Sequence, residues 1–181
     1  MFVHKVDEEV SLRLIDLNDA ERVFELTDTS RSYLKEWLPW LDFTNSEEDT
    51  KKFIQGCLKG YADSKSLTTV ILFKGEVVGI AGFNSISSSN KTASIGYWLG
   101  KGYQGNGIVT KVAKALTDYA FEYLKLNKVE IRAAVKNKKS RSIPERLGFV
   151  HEGTIRQAEW LYDHYVDHAV YGVLAREWGE K

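Results

Sequence analysis

Apolar residues in this chain recur at two spacings, and the switches between them mark out the elements. Ser11 to Ile15 alternates Leu12 and Leu14 with polar neighbours, which predicts a first strand. Asn18 or Asp19 is placed to cap a helix carrying Val23, Phe24 and Leu26. An aromatic stretch interrupted by proline, Tyr33 to Leu41, comes next. A second helix begins after Ser46, whose Ser-Glu-Glu-Asp start puts acids at the positive helix end. Its Phe53, Ile54, Cys57, Leu58 and Tyr61 repeat at helical spacing. Leu67 to Phe73 and Glu76 to Phe83 predict a hairpin turning through Lys74-Gly75, followed by a polar loop from Ser85 to Lys91. Ala93 to Leu99 reads as a buried strand, and Thr110 to Leu124 as an amphipathic helix with Val112, Leu116, Ala120 and Tyr123 or Leu124 inward. Lys128 to Val135 alternates again, Asn137 to Leu147 predicts a short helix ended by Gly148, and Phe149 to Leu161 pairs with Tyr165 to Leu174 around Asp163-His164.

The order is strand, two helices, three strands, helix, strand, helix, two strands. Hairpins joined to one parallel crossover through the central helix imply an α/β class of mixed α+β type, a mixed sheet flanked by helices. A chain of 181 residues suits a single domain, 1–181, with a sizeable core. Its 25 basic and 25 acidic residues leave no global field to recruit nucleic acid or an anionic membrane, so attraction for a negative ligand must be local. The single cysteine, Cys57, forms no internal disulfide and reads as a small buried hydrophobe rather than a nucleophile. No apolar run approaches the roughly 20 residues that span a bilayer, and Met1 to Val10 is too charged for a signal peptide. A soluble, cytoplasmic protein is expected.

Local attraction for an anion has an obvious seat. Gly102 to Val109, Gly-Tyr-Gln-Gly-Asn-Gly-Ile-Val, lies between a strand and a helix. Such a loop turns several backbone N–H groups toward one point, where the helix N-terminus adds about half a positive charge. Glycine supplies φ > 0 and close approach, so the segment outlines a phosphate cradle. Lys111 and Lys114 stand in the first turns; two readings remain, that they serve a bound polyanion, or that Lys114 pairs with Asp118 while Lys111 is solvated. The loop lacks the Gly-Lys-Ser/Thr ending of a nucleotide P-loop and the third glycine of the dinucleotide fingerprint.

Gln104-Gly105-Asn106-Gly107-Ile108-Val109 resembles the Gln/Arg-x-x-Gly-x-Gly/Ala motif of the GNAT acetyltransferases, with Val109 where Gly or Ala is usual. Further stretches resemble the Rim-type branch that acetylates ribosomal-protein N-termini. They are Ile95-Gly96-Tyr97-Trp98-Leu99, Asn137-Lys138-Lys139-Ser140, Arg146-Leu147-Gly148-Phe149, and Glu152 to Glu159. The resemblance covers most of the chain. It implies a mostly antiparallel sheet splayed at the cofactor site, with acetyl-CoA as co-substrate. By resemblance Trp98, Leu99, Gln104, Gly105, Asn106, Gly107, Ile108, Val109, Thr110 and Asn137 would bind the cofactor. Ser140 would serve the leaving thiolate and Glu159 would activate the amine. Pro144 departs from a simple helix, and is read as lying in the first turns, where proline is tolerated.

The chemistry suits those types. An α-amine with a pKa of about 7.7–8.0 needs far less help to deprotonate than a lysine at about 10.4, so one carboxylate acting through water is adequate. An oxyanion formed on attack would meet a backbone N–H near Trp98 or Leu99. Each residue has a plainer alternative: Ser140 as a helix cap, Glu159 as a solvated strand carboxylate, Asn137 as a turn residue. His164 and His168 beside Asp163 and Asp167 invite a metal reading, but a turn and strand set the histidines apart, and no metal is expected. Arg132, Lys136, Lys138, Lys139 and Arg141 form a basic cluster without interleaved aromatics, better suited to a solvated helix end or the 3′-phosphate of CoA than to nucleic acid. Trp37, Trp40 and Phe43, with Pro39, belong to the core or wall a substrate cleft. The leading expectation, which the resemblance implies, is direct acetyl transfer to the N-terminus of a ribosomal protein by a homo-oligomer. A small-amine acceptor such as a polyamine or aminoglycoside is the second reading, and a non-catalytic acyl-CoA-binding module the third.

Overall fold

The computed structural model describes residues 2–179. Its strands are β1 (His4–Lys5), β2 (Val10–Leu14), β3 (Leu67–Phe73), β4 (Glu76–Ser87), β5 (Thr92–Leu99), β6 (Lys128–Ala134), β7 (Val150–Leu161) and β8 (His164–Leu174). The helices are α1 (Ala20–Thr29), α2 (Arg31–Lys35), α3 (Glu47–Ala62), α4 (Ile108–Glu122), α5 (Lys138–Arg146) and α6 (Ala175–Trp178). The strands make one sheet in the order β1-β2-β3-β4-β5-β6-β8-β7. Every neighbouring pair is antiparallel except β5 with β6, which the α4 crossover joins in parallel.

Side-chain alternation gives the sheet two buried faces. Ala93, Ile95, Val129, Ile131, Ala169 and Tyr171 join Val112, Leu116 and Ala120 of α4 in the larger core, on which Ile143 of α5 and Trp178 of α6 also pack. The opposite face carries a smaller core of Val70 and Ile80 against Ala20 and Val23 of α1 and Ile54 of α3, with Trp98 at its edge. Ile95 and Ile131, 2% and 1% exposed, are the last pair that holds β5 to β6. Truncating either to alanine removes about 2–5 kcal/mol at the point where the sheet begins to open.

Several local expectations are corrected. Of the two cap candidates Asp19 takes the N-cap position of α1, but its side chain makes no cap bond to that helix. A 3₁₀ turn, Leu17–Asp19, intervenes, and Asp16 caps it in a reciprocal box with Asp19. The Asp19 carboxylate instead meets buried Arg13 at 2.5 and 2.9 Å. Strand β4 runs on through Ser85 to Ser87, past a bulge after Phe83, so the polar loop shrinks to residues 88–91. Of the two inward candidates at the end of α4, Leu124 packs on the core while Tyr123 is exposed and stacks on Tyr119. Cys57 is half-buried rather than buried, and burial raises its thiol pKa, which suits no nucleophile. Pro144 is the seventh of nine residues of α5, in the last turn and not the first.

Candidate active site

The parallel pairing of β5 with β6 stops at Ile95 and Ile131. Beyond it Gly96–Leu99 stays on β4, while Arg132–Ala134 stays on β8, so the sheet splays into a gap. The Gly100 N–H donates to the Val78 carbonyl at 2.8 Å. Because an antiparallel ladder alternates, the N–H and C=O of Leu99 and of Tyr97 then point away from β4, into the gap. The Trp98 N–H faces β4, so of the two expected oxyanion donors Leu99 is the one aimed correctly. Tyr33 Oη donates to the Leu99 carbonyl at 3.0 Å and holds that strand end.

Below the gap lies the glycine loop. Gly102, Gly105 and Gly107 take φ of 95°, 82° and 69°. Gly107 is the left-handed N-cap residue of α4 and offers no side-chain cap. Among the described hydrogen bonds, the amides of Gln104 through Thr110 donate to no protein acceptor; the first that does is Lys111, to the Gly107 carbonyl at 3.1 Å. A run of N–H groups without protein acceptors at a helix N-terminus fits a pyrophosphate. The two lysines add nothing to it. Lys114 pairs with Asp118 at 2.8 Å, the plainer of the two readings, and Lys111 pairs with Asp7 at 2.6 Å instead of being solvated. That ion pair and two backbone N–H bonds hold the Asp7 carboxyl down at about 2.

On the larger-core face, α5 presents Ser140 to the gap. Asn137 is the N-cap, accepting the Ser140 N–H at 3.1 Å, so the capping job considered for Ser140 belongs to Asn137. In a regular helix the Ser140 carbonyl would receive the N–H of residue 144, but Pro144 has none. Tyr97 supplies the donor: its hydroxyl gives a 3.1 Å hydrogen bond to the Ser140 carbonyl, and accepts a long 3.4 Å contact from Ser140 Oγ. Burial pushes the Tyr97 phenol up to about 12, so it stays a donor throughout the working pH range.

Glu159 stands on the other face. A regular β7–β8 ladder continuing from the Ile155–His168 pair would set Glu159 opposite His164; two extra residues in β7 set it opposite Val166 instead. In that bulge Gln157 has φ of 50° and its N–H donates to Asp167 Oδ1 at 2.7 Å. Glu159 Oε2 thereby comes within 3.2 Å of His168 Nε2. Val166 and His168 alternate with the core residues Ala169 and Tyr171, so this carboxylate shares the face of Trp98. A cleft of about 440 Å³ opens there, walled by Trp40, Phe43, Phe53 and Trp98, with Asn84 and Asp49 among its polar lining. Trp40 and Phe43 are therefore cleft walls, and Trp40 lies 5.9 Å from Trp98, ring to ring. The segment bearing Trp40 is tied to the β7–β8 turn by Tyr162, whose hydroxyl donates to the Leu38 carbonyl at 2.5 Å and accepts the Leu41 N–H at 3.2 Å. Lys35 sits over the same ring at 4.5 Å.

The remaining candidates fall away. His164 pairs with Asp163, and no cluster of metal-ligating side chains occurs among the described residues. Of the basic cluster, Arg141 is engaged by the Tyr171 hydroxyl and the Val135 carbonyl, and Arg132 by Glu130. Exposed Lys136, Lys138 and Lys139 remain near the gap. Sequence reasoning missed the roles of Tyr97, Tyr33 and His168. Pro144 was the one signal for Tyr97, since a helical proline leaves a carbonyl in need of a donor.

A split sheet, a glycine-rich loop beneath it, and a hydroxyl and a carboxylate on opposite faces thus lie together at one end of the strands. Comparison with known proteins identifies the family. The acetyltransferase (GNAT) domain family profile matches residues 9–150, and the chain belongs to the GNAT acetyltransferases. It is 38% identical to the putative ribosomal N-acetyltransferase YdaF of Bacillus subtilis, over 100% of both chains. It is 34% identical to the ribosomal-protein-serine acetyltransferase of Escherichia coli, over 92% of this chain and 93% of that one. The crystal structure of RimL, a ribosomal L7/L12 alpha-N-protein acetyltransferase in complex with coenzyme A, superimposes with a TM-score of 0.91 at 30% identity, covering 96% of this chain and 98% of that one.

Proposed function

We propose that this acetyltransferase carries the acetyl group of acetyl-CoA to the N-terminal α-amine of a protein, with a ribosomal protein as the acceptor. The observation that carries the reading is the placement of Glu159 and Ser140 on opposite faces of the opened sheet. The carboxylate, on the cleft side, takes a proton from the amine directly or through one water. The amine nitrogen bonds to the thioester carbonyl carbon, and the Leu99 N–H meets the oxyanion. The carbon–sulfur bond breaks, the nitrogen sheds its second proton to solvent, and the thiolate is protonated through the Ser140 hydroxyl on the cofactor side, which takes a proton back from solvent. One partly buried carboxylate suffices for an α-amine, whose pKa lies about 2–3 units below that of a lysine. The RimL complex with coenzyme A supports the choice of cofactor; in this reading Gln104 to Thr110 seat its pyrophosphate, with Asn137 and Leu99 along the arm.

Thiol release from acetyl-CoA, measured on peptides with free N-termini, on Nα-blocked peptides containing lysine, and on small amines, tests this. Turnover confined to free N-termini is expected, with Glu159→Gln slower by about 10²–10⁴-fold. Turnover on polyamines or aminoglycosides alone would move the acceptor to the small-amine class, and a Glu159→Gln enzyme at wild-type rate would remove the assigned base. The outer strand β7, with exposed Val150, Ile155 and Trp160, supports a homo-oligomer; a monomer mass by sedimentation at micromolar concentration would refute it.

A further inference from the structure

Among the described residues Glu159 has one side-chain hydrogen bond, to His168. We propose that His168 is a positioning residue for the proton-accepting carboxylate: it donates Nε2–H to Glu159 Oε2 and leaves Oε1 turned toward the acceptor amine. This rests on the reading of Glu159 as the base, and adds a residue to that machinery.

Three observations carry it. The contact exists only because of the two-residue insertion in β7, which moves Glu159 from a place opposite His164 to one beside His168. That insertion is held open by a dedicated bond, Gln157 N–H to Asp167, and by a non-glycine residue at positive φ. A strand that deviates this far re-aims a side chain. Secondly, the pair is sheltered, with side-chain exposures of 19% for His168 and 28% for Glu159. The residues that flank or pair with His168 on its own face are apolar: Ile155 on β7, Ala134 on β6, Val166 and Val170 on β8. No other carboxylate and no cation bonds the imidazole among the described residues, so its polar ring has one use. Thirdly, Ala134 stands between the pair and the gap. A methyl group there leaves the way to the splayed edge open, where a larger residue would block it.

A carboxylate gripped at one oxygen loses rotational freedom, and the oxygen left over keeps its lone pairs for the amine. The proton taken from the amine stays on Glu159 until solvent removes it; His168 keeps its own throughout.

The test compares His168→Gln, which retains an N–H donor at similar reach, with His168→Leu, which removes it. His168→Asn, polar but too short for the contact, repeats the test without an added apolar group. On a free N-terminal peptide the Leu and Asn variants are expected to lose roughly 10–100-fold in kcat, part of what a positioned base contributes. Their KM for acetyl-CoA stays unchanged, and the Gln variant recovers to within about threefold of wild type, since the donor is restored. In a Glu159→Gln background, His168→Leu has no further effect, because the two act as a unit. Wild-type kcat in the Leu and Asn variants overturns the inference, as does a Gln variant as slow as the Leu one, or additive losses in the double variant. Those failures leave Glu159 standing as the base. A wild-type enzyme inert on every free N-terminus, or an unimpaired Glu159→Gln enzyme, overturns the proposed function and this inference with it.

Discussion

Tyr97→Phe removes one oxygen, and its effect depends on a residue that Tyr97 is not bonded to. The hydroxyl donates to the Ser140 carbonyl at 3.1 Å, a group that Pro144 leaves without its helical partner. Phenylalanine strands this carbonyl in a part-buried site, which costs about 1–3 kcal/mol. For a chain of this length that lowers Tm by roughly 2–4 °C per kcal/mol, or about 2–12 °C in all. Pro144→Ala restores an N–H four residues after Ser140, and the helix can then satisfy the carbonyl unaided. In that background Tyr97→Phe is expected to lose less than about 0.5–1 kcal/mol, the net value of an ordinary hydrogen bond exchanged with water. Loss of the buried proline ring is common to both arms and cancels in the cycle. Thermal and urea unfolding of the four proteins gives the coupling directly. The same loss in proline and alanine backgrounds would refute the reasoning, since the hydroxyl would then not be substituting for the missing N–H. Activity adds a second readout, because Ser140 keeps its place only while its turn is held.

Gly107→Ala places a methyl in open space, so its penalty is the left-handed φ of 69° alone, about 1–2 kcal/mol. It should lower kcat/KM for acetyl-CoA at least tenfold relative to acetyl-pantetheine, which has no pyrophosphate; an unchanged ratio would count against the cradle. Arg13→Met leaves the buried Asp19 carboxylate without its cation and should cost about 3–5 kcal/mol in urea unfolding, where a loss below about 1 would show the pair to be worth little. Because the folded Asp7 carboxyl is depressed, its tie to Lys111 is fully present above the ordinary value of 3.8 and lost as pH falls through about 2. The Asp7 side-chain carbon shift should therefore titrate near about 2, and move toward 3.8 in Lys111→Met; a midpoint already at 3.8 in the wild type would mean that the ion pair does not form in solution.

The elements with strong periodicity were legible from the letters alone. Val112, Leu116 and Ala120 lie a turn apart and all face the core, and the glycine loop stands where its neighbours required. What resisted was set by partners far along the chain. Lys111 finds Asp7, Tyr97 finds Ser140, and Leu41 finds Tyr162, and no local pattern encodes such meetings. The cap position at Asp19 was legible, but its side-chain partners were not, because Arg13 on the preceding strand and the Asp16 N–H take the carboxylate that would otherwise cap the helix. Ser85 to Ser87 extend β4 against their polarity, since a ladder is made by backbone groups and accepts serines facing solvent. The proposed base was legible as a residue type, but its surroundings depended on a bulge, and alternation alone would have sent Glu159 to the neighbourhood of His164.

Tyr162 gives the cleft a mechanical property. Its hydroxyl grips the chain on either side of Trp40, and it lies three residues beyond Glu159 on the same hairpin. The cleft wall and the strand that bears Glu159 are thus two arms of one frame riveted at the phenol. On the proposed reading of Glu159, an acceptor that pushes Trp40 outward should drag the hairpin and pull the carboxylate off target, while one that leaves the wall at rest should find it in register. Misfit at the wall would then slow chemistry as well as weaken binding, and cutting the rivet with Tyr162→Phe should let poor acceptors in while blunting the advantage of good ones.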